Sequence, residues 1–304
     1  MQQAASAPSS AVVPRQTARQ PGWLRRHWGT VLFIGPFLLY VLAFLVLPAL
    51  RLLAQAVSDK HGLTLRYIAE LALPQTVTAF SNSIILSAVS AAVGLVLGGL
   101  VAYFMLRPGA PAGLRSLVTS FSAVAANFAG VPLAFAFIAT LGSLGFITVW
   151  LKRIGLDLYG AGFSLYGMSG LTLVYAYFQI PLMIIVIIPA IEGLRREWRE
   201  AAQSLGGGSW AYWRHVGLPI LMPSLLSAYL LLFGNAFSAY ATPYALTSGN
   251  IGLVPIEISN VLSGNVMLEP QAGAALALGM IGVMVLVMLL YVAVARRANR
   301  WSGR

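Results

Sequence analysis

One serine in this 304-residue chain has neighbours that could make it a nucleophile. Ser169 lies within residues 167–170, a Gly-x-Ser-Gly arrangement that presents a hydroxyl beside two flexible positions. Such a hydroxyl attacks a carbonyl only when a base lies within hydrogen-bond reach. The three histidines, His27, His61 and His215, all lie outside the long apolar stretches of the chain. Hydrolysis by Ser169 therefore lacks a base and is a remote alternative.

Other chemistries are excluded by residue type. The chain has no cysteine, so thiol nucleophiles, disulfides and cysteine-ligated metals are impossible. It has no His-Glu-x-x-His zinc motif. A P-loop needs a lysine directly after a glycine, and the only lysines, Lys60 and Lys152, follow Asp59 and Leu151. We therefore predict that this chain binds no metal or cofactor and does not itself hydrolyse ATP.

The composition points to a membrane as the setting for the remaining polar residues. Hydrophobic residues make up 59% of the chain and charged residues 9%, whereas soluble domains carry about a quarter charged residues. A transmembrane helix needs about 20 apolar residues. We predict an all-α membrane protein with six transmembrane helices at about 30–52, 79–106, 117–141, 169–191, 220–243 and 272–295.

The basic residues predict the orientation. Six spans put both termini on one side, which then holds 14 of the 19 Lys and Arg residues. The positive-inside rule places both termini in the cytoplasm. This orientation accounts for the net charge of +11, so no nucleic-acid partner is expected. Residues 1–22 are predicted to be a disordered cytoplasmic tail, and residues 23–304 the membrane domain.

The predicted spans contain neutral polar residues but no ionisable residue at mid-span. A solute pathway would need such side chains, although they also hold helices together in lipid. Proton- and ion-coupled carriers commonly keep an ionisable residue within a span. Its absence counts against a secondary carrier or channel, which is the alternative hypothesis. The pathway candidates are Asn127 and Gln179 in spans 3 and 4, and Asn235, Ser238, Tyr240 and Thr242 in span 5.

Span 2 carries a stripe of small residues at steps of three and four. Small residues at this spacing let a second helix approach closely, so we predict helix packing there. The stripe consists of Ser87, Ala91, Gly94, Gly98 and Ala102.

The loop between spans 4 and 5, residues 192–219, has the most specific pattern in the chain. Apolar residues at helical spacing, including Trp198 and Leu205, predict a first helix. Three glycines beginning at Gly206 end that helix. A second short helix follows, and Pro219 begins the next span. We predict a cytoplasmic helix–turn–helix; an amphipathic helix lying on lipid is the alternative.

This loop resembles the EAA motif, which marks permease subunits of binding-protein-dependent ABC importers. The motif is a Glu-Ala-Ala triplet, then a glycine, then a Val-Gly-Leu-Pro segment with valine where isoleucine is usual. The resemblance includes Asn82-Ser83 at the start of span 2 and covers most of residues 30–296. The motif residues are Glu200, Ala201, Ala202, Gly206, Val216, Leu218 and Pro219.

The resemblance implies an ATP-driven transport subunit of the bacterial cytoplasmic membrane. A separate ATPase dimer would bind ATP and Mg²⁺ and receive this loop. Glu200 would make a polar contact with the ATPase, Ala201 and Ala202 would allow close approach, and Gly206 would form the turn. A second permease, identical or homologous, would complete the pore, and an extracytoplasmic binding protein would deliver the solute.

The resemblance also suggests a solute class. The segment Phe233–Gly249 looks most like permeases of spermidine/putrescine, ferric-iron or phosphonate importers. From this we predict a small polar solute of the polyamine type.

Overall fold

The structure, a computed structural model, describes residues 34–59, 62–107, 109–263 and 270–301. The predicted tail, residues 1–22, lies outside the described residues. The chain divides into two units, Met1–Arg51 and Leu52–Arg304. The described part of the first unit is helical, and the second unit contains the candidate sites.

The described chain consists of helices joined by loops, with one small antiparallel hairpin, β1 (Ser58–Asp59) and β2 (Gly62–Leu63). Among the described residues, six helical segments are long and apolar enough to cross a membrane. This confirms the predicted all-α membrane fold. The helices are α1 (Ile34–Ala56), α2 (Arg66–Ala69), α3 (Pro74–Met105), α4 (Ala112–Ala125), α5 (Val131–Leu141), α6 (Phe146–Arg153), α7 (Met168–Glu192), α8 (Arg196–Ser204), α9 (Ser209–Tyr212), α10 (Leu218–Phe237), α11 (Ala241–Thr247), α12 (Val254–Ser263) and α13 (Pro270–Trp301).

Helix α1 widens into a π turn at Leu42–Val46. Pro48 follows directly after this turn region. Proline has no N–H to donate, and its ring collides with the carbonyl group four residues earlier. A wider turn, with hydrogen bonds that skip one more residue, accommodates the proline without ending the helix.

Helices α3, α7 and α10 pack closely in the second unit, and glycines on α3 make this possible. A Cβ atom at Gly94 would lie 2.9 Å from Gln179 Cβ on α7 and 2.8 Å from Leu232 Cδ2 on α10. A Cβ atom at Gly98 would lie 2.7 Å from the carbonyl oxygen of Ile180. Such distances are shorter than van der Waals contact, so only glycine fits. The predicted close packing along the small-residue stripe is confirmed.

The third predicted span, 117–141, is wrong as a single helix. Helix α4 ends at Ala125, and α5 begins at Val131 after an N-cap glycine, Gly130, with φ of +80°. Gly130 with its positive φ turns the chain out of helical conformation, and Pro132 then fits the first turn of α5, where its missing N–H is not needed. The chain therefore stops one helix and starts another within the same apolar stretch.

Helices α4 and α5 together lie along α7. Arg115 near the start of α4 pairs with Glu192 at the end of α7, whereas Leu133 in α5 shares a buried cluster with Leu171 near the beginning of α7. The continuation of α5 into α6, Val131–Arg153, also has the length and apolarity of a span. The contacts of α4 and α5 together extend from one end of α7 to the other.

The fifth predicted span, 220–243, also ends too late. Helix α10 stops at Phe237, and α11 begins at Ala241 after three non-helical residues. Pro243 lies in the first turn of α11, where its missing N–H is not needed for an intrahelical hydrogen bond. The predicted polar face of span 5 therefore continues only as far as Asn235, and Ser238, Tyr240 and Thr242 belong to the break and to α11.

Candidate functional site

Helix α8 ends in a Schellman turn built on glycine. The N–H of Gly206 donates to the carbonyl of Gln203, and the N–H of Gly207 donates to the carbonyl of Ala202, both at 2.9 Å. Gly206 has φ of +79°, which only glycine adopts without strain. This turn directs the chain from α8 into the short helix α9.

An open apolar groove lies between α8 and the segment after α9. Its volume is about 440 Å³, and it includes three of the seven motif residues, Ala201, Ala202 and Val216. Leu205, whose side chain is 89% exposed, also lines it. An exposed apolar groove of this kind is typical of a surface that receives a partner protein.

The remaining motif residues lie around this groove. Glu200 is on the exposed side of α8, and it is not among the residues that line the groove. Leu218 is the first residue of α10, but the backbone is already helical before it, with a π turn at Trp213–Gly217. This wider turn accommodates Pro219 within a continuous helical segment, Ser209–Phe237, so the predicted beginning of the span at Pro219 is not a helix boundary.

Aromatic contacts attach this loop to the core helix α3. The ring of Trp213 meets the ring of Tyr103 edge-on, with 5.1 Å between centroids. Tyr212 is buried and contacts Trp213 in the same way at 5.7 Å. A Cβ atom at Gly217 would lie 2.8 Å from the Trp213 ring, so glycine is needed where the chain passes it. The loop is thus fixed to α3 as well as to α7 and α10.

The break between α4 and α5 meets the break between α10 and α11 at two hydrogen bonds between Gly130 and Thr242. The N–H of Gly130 donates to Thr242 Oγ1 at 2.8 Å, and Thr242 Oγ1 lies 3.4 Å from the Gly130 carbonyl oxygen. Thr242 is buried and joins the break after α4 to α11. Asn127 lies three residues before Gly130, and Tyr240 lies two residues before Thr242. This contact therefore brings Asn127 and Tyr240 to the same part of the molecule.

The side chains next to these breaks are exposed. Asn127 donates to the carbonyl of Ala123 at 2.9 Å, and Tyr240 shares a hydrogen bond of 2.9 Å with Ser259. Ser238 donates to the carbonyl of Gly234. Asn127, Ser238 and Tyr240, together with Asn235 on α10, can each present polar atoms outward.

Gln179 is not brought together with these residues. Its side chain is fully buried, and its Nε2 donates to the carbonyl of Leu232 on α10 at 2.9 Å. It also contacts the surface of α3 at Gly94. For Gln179 the structure therefore favours helix packing over a solute pathway.

Sequence analysis did not predict that two neighbouring residues of α3 hydrogen-bond to the backbone at the beginning of α12. Asn82 Nδ2 donates to the carbonyl of Gly252 at 3.1 Å, and Ser83 Oγ accepts from the N–H of Val254 at 2.9 Å. Their adjacency at the start of a span was the available signal, since neighbouring polar residues there can bind a returning backbone. They position the segment that follows α11.

Ser169 lacks a neighbouring histidine within the described chain. It lies at the beginning of α7, whereas His215 lies beyond the other end of that helix, next to the segment that contacts Glu192. A helix of 25 residues extends about 37 Å, far beyond hydrogen-bond reach. The other two histidines lie outside the described residues.

Comparison with known proteins places this arrangement in a family. Residues 146–300 match the model described as "Binding-protein-dependent transport system inner membrane component". The sulfate transport system permease protein CysT of Escherichia coli is 27% identical over 225 residues, which are 73% of this chain and 76% of that protein. The sulfate permease CysW of Synechocystis sp. is 24% identical over 260 residues, covering 84% of this chain and 90% of that protein.

A third relative is similar over a shorter region. The thiamine transport system permease protein ThiP of Escherichia coli is 28% identical over 145 residues, 47% of this chain and 26% of that protein. These relatives are permeases for sulfate and thiamine, so they give no support to the predicted polyamine-type solute. The Phe233–Gly249 segment is thus a weaker guide to the solute than the longer matches.

Solved structures share the fold. A bacterial ABC transporter involved in the import of the acidic polysaccharide alginate superposes with a TM-score of 0.69 at 20% identity, covering 90% of this chain and 97% of that chain. The methionine transporter MetNI, in an inward-facing conformation, gives a TM-score of 0.53 at 16% identity, covering 73% and 95% of the two chains. With half of its length matched by the family model and six apolar helices in its described part, this chain belongs to the inner membrane components of binding-protein-dependent transport systems and is a multi-pass permease subunit of an ABC importer.

Proposed function

We propose that this permease docks on its ATPase through α8 and the apolar groove beside it. The observation that carries the proposal is an exposed apolar surface in the middle of a polar loop. Leu205, which lines the groove together with three alanines, is 89% exposed. Trp210 in the same loop, outside the groove lining, is 77% exposed. An apolar helix face inserted into a partner's cleft is a common mode of recognition.

Attachment of the loop to the core gives this docking a mechanical consequence. Trp213 contacts Tyr103 on α3, and α7 and α10 begin or end at the loop itself. Movement of the docked ATPase would therefore move three core helices together. Such rigid-body movement is the basis of alternating access. ATP and Mg²⁺ would be bound by the ATPase dimer, on the cytoplasmic side of the membrane.

Substitutions within and beside the groove test the docking proposal. Ala201→Leu fills the groove, whereas Gln203→Leu adds the same side chain to an exposed position of α8 that does not line the groove. We expect Ala201→Leu to lose the ATPase on co-purification and Gln203→Leu to retain it. Equal retention of the ATPase by both variants would contradict docking at the groove.

The solute pathway in this proposal lies along the exposed faces of α10 and of the two helix breaks. Asn235, Ser238, Tyr240 and Asn127 present neutral polar atoms there. A second permease subunit facing this surface would enclose the pathway, since a single chain leaves it open. An extracytoplasmic binding protein would supply the solute from the other side of the membrane.

For the solute, we propose a small oxyanion of the sulfate type. The support comes from similarity to sulfate permeases over 73–84% of this chain and from the absence of a carboxylate among the four exposed pathway residues in the described chain. Uptake of labelled sulfate and thiamine by vesicles containing the complete importer and its binding protein would test this. Sulfate uptake is expected; uptake of thiamine alone would overturn the oxyanion assignment but leave the docking proposal intact.

A further inference from the structure

A second cleft lies at the same end of the helical core and is lined by arginine. It has a volume of about 350 Å³ and lies between the ends of α3, α4 and α7 and the beginning of α8. Small-molecule sites typically measure about 300–1,000 Å³. The five arginines that line it are Arg107, Arg115, Arg195, Arg196 and Arg199.

The positive charge of this cleft is mostly unbalanced. Within the described part of the chain, Glu192 is the only carboxylate lining the cleft, and it already pairs with Arg115 at 2.5 Å. The described ion pairs include none formed by the other four arginines. Like charges held around one cleft repel each other, and an anion placed between them would relieve that repulsion.

Aromatic rings hold some of these guanidinium groups in place. The Arg107 guanidinium carbon lies 5.6 Å from the centre of the Tyr103 ring and 5.7 Å from that of Phe104. That of Arg195 lies 5.9 Å from the Trp198 ring. Guanidinium groups stacked in this way keep their N–H edges free, and these edges match the oxygens of a phosphate in a two-point contact.

The position of the cleft indicates where the phosphate comes from. Its walls include Leu106 and Ile191, which lie at the ends of two apolar helices long enough to cross a membrane. The arginines follow these helix ends in the sequence, so a membrane that surrounds the two helices would place its headgroups near them. Basic pockets between span ends are typical sites for anionic headgroups. We propose that this cleft binds the phosphate of an anionic phospholipid, with its acyl chains along the apolar wall.

The bound lipid would connect elements that belong to different functional parts. Arg107 is at the end of the core helix α3, Arg115 is in α4, and Arg199 is in α8. One phosphate shared among them would strengthen the attachment of the loop to the core, beside the contact of Trp213 with Tyr103. Lipid composition would thus regulate coupling, independently of which solute is carried.

Titration of the full chain with phosphatidylglycerol in neutral detergent tests the site. The readout is the midpoint of thermal unfolding, because a ligand that binds only the folded state raises it. We compare the double variant Arg107→Gln/Arg199→Gln with Arg214→Gln, which removes an exposed arginine of the same loop that does not line the cleft. The double variant is expected to need about tenfold more lipid for the same shift, as two charge-assisted contacts are lost.

Two control ligands test whether the bound anion is a lipid headgroup. Phosphatidylcholine of the same chain length and inorganic phosphate at equal concentration are both expected to give no shift. A shift with inorganic phosphate equal to that with phosphatidylglycerol would overturn the lipid assignment, and an equal shift with phosphatidylcholine would overturn the role of charge. Should the double variant unfold early, native mass spectrometry of its phosphatidylglycerol adducts replaces the midpoint; adducts as abundant as in Arg214→Gln would overturn the site.

Discussion

Gly206 shapes the loop through its backbone alone. Its φ of +79° lies in the left-handed region, and a Cβ atom there would meet nothing within 4 Å. Any cost of substitution therefore comes from the backbone, at about 1–2 kcal/mol for most residues and less for asparagine. We predict that Gly206→Val lowers transport per ATP hydrolysed several-fold, whereas Gly206→Asn lowers it only slightly.

Simultaneous measurement of ATP hydrolysis and solute uptake in reconstituted vesicles checks this prediction. Uptake should fall more than hydrolysis in the valine variant, because a distorted turn weakens the transmission of ATPase movement. Valine and asparagine variants with the same ratio of uptake to hydrolysis would show that backbone conformation at this position does not matter.

Gln179 tests the distinction between packing and pathway at a single residue. Its Nε2 donates to Leu232, but its Oε1 has no hydrogen-bond partner within the described chain. Methionine has a similar shape and no polar group to leave unsatisfied, so replacement of this side chain is nearly neutral in free energy. Gln179→Met should retain wild-type uptake. Loss of uptake in a variant that unfolds at the wild-type temperature would show that Gln179 belongs to the solute pathway.

At the scale of helices, close packing of α3 on α7 depends on particular glycines. A Cβ atom at Gly98 would lie 2.7 Å from a backbone oxygen, but at the neighbouring Gly99 it would lie 3.7 Å from the end of the Met183 side chain. Alanine is a better helix former than glycine by about 1 kcal/mol. We expect Gly99→Ala to be neutral or stabilising and Gly98→Ala to be destabilising.

Thermal unfolding of the two variants in the same detergent measures the difference. The unfolding midpoint of Gly98→Ala should lie clearly below that of the wild type, while that of Gly99→Ala should not. Equal midpoints for the two variants would mean that α3 can move away from α7 without cost.

The junction between the two broken helices depends on one hydroxyl. Thr242→Val keeps the shape of the side chain but removes the acceptor for the N–H of Gly130. An unpaired N–H in a buried place costs about 1–3 kcal/mol. We predict a lower unfolding midpoint for Thr242→Val than for Thr172→Val, a matched loss of a hydroxyl that bonds only within its own helix. Equal effects would show that the junction contributes nothing to stability.

The long apolar stretches of the sequence predicted six spans, which the structure confirms, but not the interruptions within them. Both breaks lie inside continuous apolar stretches, so hydropathy carries no signal for them. The local signal in the sequence was a proline shortly after each break, Pro132 after Gly130 and Pro243 after Tyr240. A proline alone is ambiguous, because Pro181 and Pro189 lie within the unbroken helix α7.

The candidate site was predictable to the extent that it is local in sequence. The turn at Gly206 follows from three consecutive glycines, and the motif fixes the positions of Ala201 and Pro219. The burial of Gln179 depends on which helices surround it, and the arginine cleft depends on four separate elements meeting. Neither arrangement leaves a pattern within a single stretch of the chain.

At the scale of the whole molecule, we propose a subunit that cannot transport solute without partner subunits. The chain has no P-loop to bind ATP, it belongs to a family of permease components, and its proposed pathway lies on an exposed face. In the proposed mechanism, the energy for transport enters through the loop that carries Glu200 and Gly206.

The most direct test is transport by vesicles assembled with defined components. Vesicles holding the permease with its second permease subunit, ATPase and binding protein should accumulate sulfate only when ATP is supplied on the side of the loop. Vesicles holding this chain alone should not accumulate or release sulfate above background. Solute movement by the chain alone, unaffected by ATP and the ATPase, would contradict the account.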